Sequence, residues 1–393
     1  MKLSIFISSL ICFIRIRAYN PLFIKNRYGK IKIKQNFVIK SESHISKFIG
    51  TKYSLGVNSG GMALTISLLA IKQKYNLTDN YPIFTNSFTF NAVPSSIVNA
   101  KLSPYLIETD SRLLLNLTNL EEHIINSTND VHILLLSYMR GRIPDMGKLS
   151  KIVKKYNIIL IEDCAHAYGC KWKKKMIGTF GEVSIISTQA NKLISTGEGG
   201  FILSNDDDIM AISMIATGCY ENLNLKHYNF SPPNYVYQKY KYIIPNFSAR
   251  MTLIQGYLFD SQFHEIKNTI KHFNKNYYFL RSLNKNKNII YIEQDKKISP
   301  VYDSLQLKIE NITDEEFELF LEKLNSLGNY NFQSFLSEDN ARFYKNWQFF
   351  TNNIQLNYTD INLKHICDVR LYHDYTFNDL RTLQDNIDRA YLL

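Results

Sequence analysis

Between about residues 50 and 205, short apolar runs of strand length alternate with stretches of helical periodicity, and no other feature constrains the fold of this chain as much. Strands separated by helical crossovers make βαβ units, hence an α/β architecture with a mostly parallel central sheet flanked by helices. Residues 52–57 read as a strand, 58–61 as a turn, and 62–74 as a helix with Leu64, Leu68 and Ile71 on one stripe. Further strands are expected at 83–85, 102–107 and 131–136, a helix at about 146–156, and a strand at 158–162 that stays apolar until Glu162 and Asp163. In open α/β sheets ligands bind beyond the carboxyl ends of the strands, so Asp163 is expected where chemistry occurs.

Beyond about residue 260 the pattern changes. A joining helix is expected near 253–274 and a strand at 304–309. Thr313-Asp314-Glu315-Glu316 is a capping box; it opens a helix with Phe317, Phe320, Leu321 and Leu324 on one face and Gly328 at its close. The expected organisation is an N-terminal arm or helix (1–45), a large domain (46–255), and a linking helix with a smaller α+β C-terminal domain (256–393).

Composition narrows the function. With 393 residues, 45% hydrophobic and 21% charged, the chain can bury a sizeable core, which excludes wholesale disorder, collagen and coiled coil. Five cysteines (Cys12, Cys164, Cys170, Cys219 and Cys367) form no CxxC pair and an odd count, so neither a disulfide framework nor a metal site is expected, and a reducing, cytoplasmic compartment is. The net charge of +11 is spread over scattered lysines without a nucleic-acid-binding motif, and reads as solvated surface; a polyanion-binding protein stays open as an alternative. Residues 3–14 are mostly apolar but too few to span a bilayer, and are expected to form a helix against the body or a partner subunit, with an uncleaved signal or membrane-surface anchor as the other reading.

Three segments carry candidate chemistry. Asn58-Ser59-Gly60-Gly61, between strand and helix, offers backbone amides to an anion, or is a plain glycine turn. In Ile161-Glu162-Asp163-Cys164-Ala165-His166-Ala167 a carboxylate is followed three residues later by an imidazole; the plain alternative is a capping Asp and a core His. Ser187-Thr188-Gln189-Ala190-Asn191-Lys192 continues to Gly197-Glu198-Gly199-Gly200: a lysine on a loop after an apolar strand, a hydroxyl five residues before it and glycines after it. These suit a Schiff-base amine beside a phosphate-binding serine, where a lone lysine is otherwise a surface charge.

Together these segments resemble the DegT-type nucleotide-sugar aminotransferases, and within them the perosamine synthase-like branch with its N-K-x-I-x-T-G-E-G-G signature. The resemblance continues in order through Phe48-Ile49-Gly50-Thr51-Lys52-Tyr53, Ser87-Phe88-Thr89-Phe90-Asn91-Ala92, the Gly141 to Met146 stretch, Ile177-Gly178-Thr179-Phe180-Gly181 and Arg250-Met251-Thr252-Leu253-Ile254-Gln255. It implies the fold of the type I pyridoxal 5'-phosphate (PLP) transferases. By that resemblance, Lys192 would bond the cofactor and shuttle the proton, Asp163 would pair with the pyridinium nitrogen, Phe90 would stack on the ring and His166 would lie by its hydroxyl edge. Ser187, Gly60 and Gly61 would hold the phosphate, with Ser248 at the place of the family's cross-subunit asparagine and Asn246 as the substitute in a shifted loop. The implied reaction passes an amino group from an amino acid, glutamate first, to a keto group of a nucleotide-linked deoxysugar for surface polysaccharide, in a homodimer with shared sites.

The chain departs from the family at Gly61, where a hydroxyl residue is usual, at Ser248, and at residues 29–35, where the substrate loop agrees weakly. These departures motivate the alternative of a non-catalytic or regulatory PLP-fold homodimer with a degenerate substrate site. Lys192 itself argues against the related dehydratases, which carry His at that position.

Overall fold

A computed structural model of the chain describes residues 36–219, 232–328, 330–350 and 355–392. The expectations for residues 3–14 and 29–35, and Cys12, lie outside the described residues. The chain forms two compact units: one takes the described residues of Met1–Asn76 and Val183–Ile266, the other those of Leu77–Glu182 and Lys267–Leu393.

In the first unit, the strands Tyr53–Val57 and Val183–Ser187 both pair antiparallel with Gly200–Ser204, which runs between them. The parallel expectation does not extend to these strands: the connection through residues 188–199 contains no helix, and a parallel crossover needs a long one. The helix Gly60–Lys74 packs on Val183–Ser187 and Gly200–Ser204 and against the helix Asp207–Ala216. It begins earlier than the periodicity predicts because Ser59 caps it, its Oγ accepting from Met62 N at 3.1 Å, which draws Gly60 and Gly61 into the first turn. Leu64, Leu68 and Ile71 are buried, and so are Ala63, Ile66 and Ala70, since this helix is covered by strands on one side and a helix on another. The helix Phe37–Ile49 lies along Leu253–Phe263 and ends at Gly50 in the left-handed region.

The joining helix expected at 253–274 is two helices, Leu253–Phe263 and Ile266–Leu283. Between them Glu265 N reaches Gln262 O at 3.0 Å, an i→i−3 contact in place of a helical i→i−4 bond, and the next residue, Ile266, is buried.

In the second unit a parallel sheet runs in the order Ser103–Ile107, Pro82–Asn86, Ile133–Ser137, Ile159–Asp163. Every residue of the last two strands is buried, as a strand covered on both faces requires. A second, antiparallel sheet orders Ile289–Tyr291, Ser304–Ile309, Ile366–Arg370 and Gln333–Ser334, and the helices Asp314–Gly328 and Phe377–Tyr391 pack on one another. The capping box is present, with Thr313 N donating to Glu316 Oε2 at 2.8 Å and Glu316 N to Thr313 Oγ1 at 3.2 Å, and the face of Phe317, Phe320, Leu321 and Leu324 is buried. A core cluster joins Phe88 to Phe335, ring centroids 4.7 Å apart, with Leu113, Met139 and Ile366. Among the described residues no helix is long and apolar enough to cross a membrane, and no group of His, Cys, Asp and Glu has the makings of a metal site.

Candidate active-site residues

The antiparallel register of the first unit sets Val57, Gly200 and Ser187 in one row, and Val57 leads directly into the turn 58–61. That row is close-packed through glycine. A Cβ on Gly200 would stand 3.0 Å from Gly60 N and from Ser59 O, and a Cβ on Gly60 would stand 2.6 Å from Ser187 Cβ and 2.8 Å from its Oγ. Only residues without a side chain let the amide end of the helix Gly60–Lys74 approach Ser187 so closely. Gly61 is different: a Cβ there meets nothing within 4 Å, so the helix start is open on that side. Amides of a first helical turn, the positive end of the helix dipole and a serine hydroxyl together suit a phosphate oxyanion.

Ser187 opens the loop that carries Lys192, and the loop is tied at several points. Thr188 N donates to Gly199 O at 2.9 Å and Thr196 N to Thr188 O at 2.8 Å, while the hydroxyls of Thr188 and Thr196 meet at 2.7 Å. Gly199, at φ +151°, has no room for a Cβ, which would lie 2.4 Å from Thr188 Oγ1. From the helix Leu253–Phe263, Gln255 Nε2 donates to Glu198 O at 2.7 Å, Gln262 Nε2 donates to Ser195 O at 2.6 Å, and Gln262 Oε1 accepts from Ser195 N at 3.2 Å. Lys192 is half-buried, its backbone N–H donating to Gln189 O at 3.0 Å.

Ser248 is exposed and holds φ +51°, in a turn where Asn246 Oδ1 accepts from Ser248 N at 2.6 Å. Arg250 Nη1 donates to Gly218 O at 2.8 Å and Thr217 O at 3.3 Å, at the C-terminal end of the helix Asp207–Ala216, where a cation complements the helix dipole.

The second unit places Asp163, His166 and Phe90 at the carboxyl edge of its parallel sheet. Asp163 ends its strand, 5% exposed; Oδ2 accepts from Ser137 Oγ at 2.8 Å and Oδ1 from Ala165 N at 3.0 Å, donors that complement an ionised carboxylate. Asn86, at the end of the neighbouring strand, extends the edge: Oδ1 accepts from Ser137 N at 2.9 Å and Nδ2 donates to Ser137 O at 3.0 Å. Phe90 follows the buried segment Ser87, Phe88 and Thr89, yet is itself 46% exposed, a flat apolar face set beyond the strand end. His166 lies in the turn after Asp163, Nδ1 at 3.3 Å from Arg370 Nη2.

Strand alternation sends Glu162 the other way. It is fully buried; Oε1 accepts from Tyr138 Oη at 2.7 Å and Gly178 N at 2.9 Å, Oε2 from Phe180 N at 2.6 Å and Gly181 N at 2.7 Å. Burial pushes this carboxyl above its ordinary value, and the four donors oppose the push. Asn86, Ser137, Gln262 and Arg370 are absent from the expectations drawn from sequence, and Glu162 is given no role there. Only Glu162 had a local signal, its place beside Asp163 on a strand with alternating faces.

The chain is 30% identical over 177 residues to GDP-perosamine synthase of Escherichia coli O157:H7, covering 45% of this chain and 47% of that protein. It is 28% identical over 221 residues to GDP-perosamine synthase of Caulobacter vibrioides, covering 56% and 54%. The chain thus spans about half the length of the curated relatives it matches. Among solved structures, GDP-4-keto-6-deoxymannose-3-dehydratase with a trapped PLP-glutamate geminal diamine superposes with a TM-score of 0.76 at 20% identity, covering 90% of this chain and 92% of that one. The sugar aminotransferase CalS13 of Micromonospora echinospora superposes with a TM-score of 0.71 at 18% identity, covering 91% and 92%. These likenesses establish the fold. The sequence model of the DegT/DnrJ/EryC1/StrS aminotransferase family matches residues 28–380, and the chain belongs to that family.

Proposed function

We propose that the chain is a PLP-dependent aminotransferase that passes an amino group from an amino acid, glutamate first among them, to a keto group of a nucleotide-linked deoxysugar destined for surface polysaccharide. The observation that carries this reading is the glycine-packed corner at Ser187 and Gly60, on the strand that leads into the loop of Lys192. Its amides and hydroxyl fit a phosphate group, and Lys192 follows Ser187 by five residues along the chain.

When bound, PLP supplies an aldehyde and an electron-withdrawing ring. The chain's own residues then divide the work. Ser187 Oγ and the amides of Gly60 and Gly61 bind the phosphate. Lys192 Nζ, once neutral, accepts and returns the proton at the reacting carbon. The Asp163 carboxylate, supported by Ser137 and Ala165, holds a proton at the ring nitrogen. Phe90 offers its exposed face for stacking, and His166 orients the hydroxyl edge. In a homodimer with shared sites, Ser248 serves as the cross-subunit phosphate ligand. Among the described residues, Cys164, Cys170, Cys219 and Cys367 are buried and outside any disulfide, which accords with a cytoplasmic setting. Lys192 separates this reading from a dehydratase.

The test is to reconstitute the full chain with PLP and screen UDP-, GDP- and dTDP-linked keto sugars with glutamate, following the pyridoxal to pyridoxamine spectral change. A cofactor absorbance band that disappears in Lys192→Ala, with turnover on one sugar, is the expected result. Absence of any cofactor band, or wild-type turnover in Lys192→Ala, overturns the proposal and favours the non-catalytic scaffold.

A further inference from the structure

Arg140 stands at the carboxyl edge of the parallel sheet, just after the strand Ile133–Ser137, whose last residue pairs with Asp163. The tight turn Met139–Gly141 presents it. Tyr138 N donates to Asp163 O at 3.1 Å, and a Cβ on Gly141 would lie 3.2 Å from His166 O, so the turn is seated against the backbone of Asp163 and His166. Arg140 itself holds φ +52° and ψ +31°, a left-handed conformation that few residues with a side chain adopt and that is concentrated at ligand sites. Its side chain is 11% exposed, and Nε pairs with Asp368 Oδ2. Nη1 and Nη2 have no hydrogen-bond acceptor among the described residues.

The neighbouring groups leave positive charge in excess. Asp368 is shared, its Oδ1 accepting from Arg342 Nη1 at 2.5 Å, and Arg342 directs its other nitrogens to Asn340 Oδ1 at 2.8 Å and Gln333 Oε1 at 3.0 Å. Arg370 Nη1 donates to Asp303 Oδ2 at 2.6 Å, and its Nη2 lies 3.3 Å from His166 Nδ1. The guanidiniums of Arg140, Arg342 and Arg370 therefore face only the carboxylates of Asp303 and Asp368, all largely buried. A buried charge without a counter-ion is costly, and burial pushes the Arg140 guanidinium down to about 10, where it is still a cation at neutral pH. We propose that Arg140 is a substrate-binding residue whose Nη1 and Nη2 receive a carboxylate, that of the amino-acid donor. A guanidinium fork matches the two coplanar oxygens of a carboxylate, and one surplus positive charge matches one negative charge, where a diphosphate brings more than one. That the carboxylate belongs to the amino donor rests on the function proposed above; recognition of a carboxylate by Arg140 does not.

The experiment uses the full chain labelled with ¹⁵N-arginine, the Arg140 Nε–H resonance being assigned by its loss in Arg140→Lys. Glutarate, which carries carboxylates and no amino group, is titrated at constant ionic strength, with inorganic pyrophosphate in a parallel series. The expected result is a saturable shift of the Arg140 resonance with glutarate alone. In Arg140→Met, glutarate affinity measured by calorimetry falls about ten- to a hundredfold, the scale of a lost charge-assisted contact; in Arg140→Lys, which keeps the charge without the fork, it falls less. With PLP reconstituted, Arg140→Met raises the KM for glutamate by a similar factor and leaves that for the sugar unchanged. No shift with glutarate, an equal shift with pyrophosphate, or unchanged glutarate affinity in Arg140→Met overturns the inference; the wild-type titration decides even if the methionine variant fails to fold. Saturable glutarate binding at Arg140 in a chain that never acquires a cofactor band refutes the proposed function and leaves the carboxylate site standing.

Discussion

Ser137 Oγ donates to Asp163 Oδ2 at 2.8 Å across an in-register pair of adjacent parallel strands. The serine's own backbone is held by the Asn86 carboxamide, so the acid is positioned from two strands away through a chain of polar contacts along one sheet edge. Replacing Ser137 with Ala removes a hydrogen-bond donor from the buried Asp163 carboxylate. The expected cost is about 1–2 kcal/mol in urea unfolding, together with weaker retention of the PLP band on dialysis. Unchanged unfolding and unchanged retention would refute the role given to Ser137.

The two glycines that open the helix Gly60–Lys74 behave differently under the same substitution. In Gly60→Ala the new methyl group collides with Ser187 Cβ at 2.6 Å, and Ser187 Cα is only 3.2 Å away, so the strand itself must shift. An overpacking loss of about 1–3 kcal/mol is expected. In Gly61→Ala the methyl group enters open space on a residue already helical, and a gain of up to about 1 kcal/mol follows from lower entropy of the unfolded chain. Denaturant midpoints of the two variants decide the matter: equal shifts in the same direction would contradict the packing described.

The elements that sequence predicts well are those with a strong local pattern. Residues 304–309 form a strand with the expected bounds, the capping box at Thr313 forms both of its reciprocal bonds, and the strand expected at 83–85 forms as Pro82–Asn86, because apolar runs and capping signals act within a few residues. The strand expected at 158–162 forms as Ile159–Asp163 for the same reason. What escapes is long-range pairing. Gly200–Ser204 carries no mark of its antiparallel direction, and the partners Gln262 of Ser195 and Arg370 of His166 lie 67 and 204 residues away in sequence. Polar residues such as these have no periodicity to betray them, since their roles are set by where the fold brings them.

Gln262 gives a prediction about local stability. Its carboxamide both donates to Ser195 O at 2.6 Å and accepts from Ser195 N at 3.2 Å, so it pairs with the backbone of the Lys192 loop at two points. Gln262→Ala is expected to accelerate hydrogen exchange of the Ser195 amide about tenfold, the equivalent of one lost hydrogen bond, while global unfolding shifts by less than about 1 kcal/mol. Gln262→Glu, which can still accept from Ser195 N but no longer donates to Ser195 O, should fall between. Protection of the Ser195 amide as strong in Gln262→Ala as in the wild type would remove the clamp from the account.

Glu162 offers the largest expected effect outside the candidate site residues. Its two oxygens accept four hydrogen bonds, three from the backbone amides of Gly178, Phe180 and Gly181 and one from Tyr138 Oη. Gly181 adds a steric demand, since a Cβ there would lie 2.3 Å from Leu160 O, and the carboxylate therefore gathers a turn that is already tightly seated on the strand Ile159–Asp163. Glu162→Gln keeps the shape but puts an amide NH2 against backbone N–H donors, leaving buried donors unpaired at an expected cost of about 2–4 kcal/mol. Glu162→Leu removes every acceptor and is expected to cost more still. Thermal and denaturant unfolding of both variants provides the measure. If Glu162→Gln unfolds like the wild type, the four donors are satisfied elsewhere and the carboxylate is not what holds residues 178–181 in place.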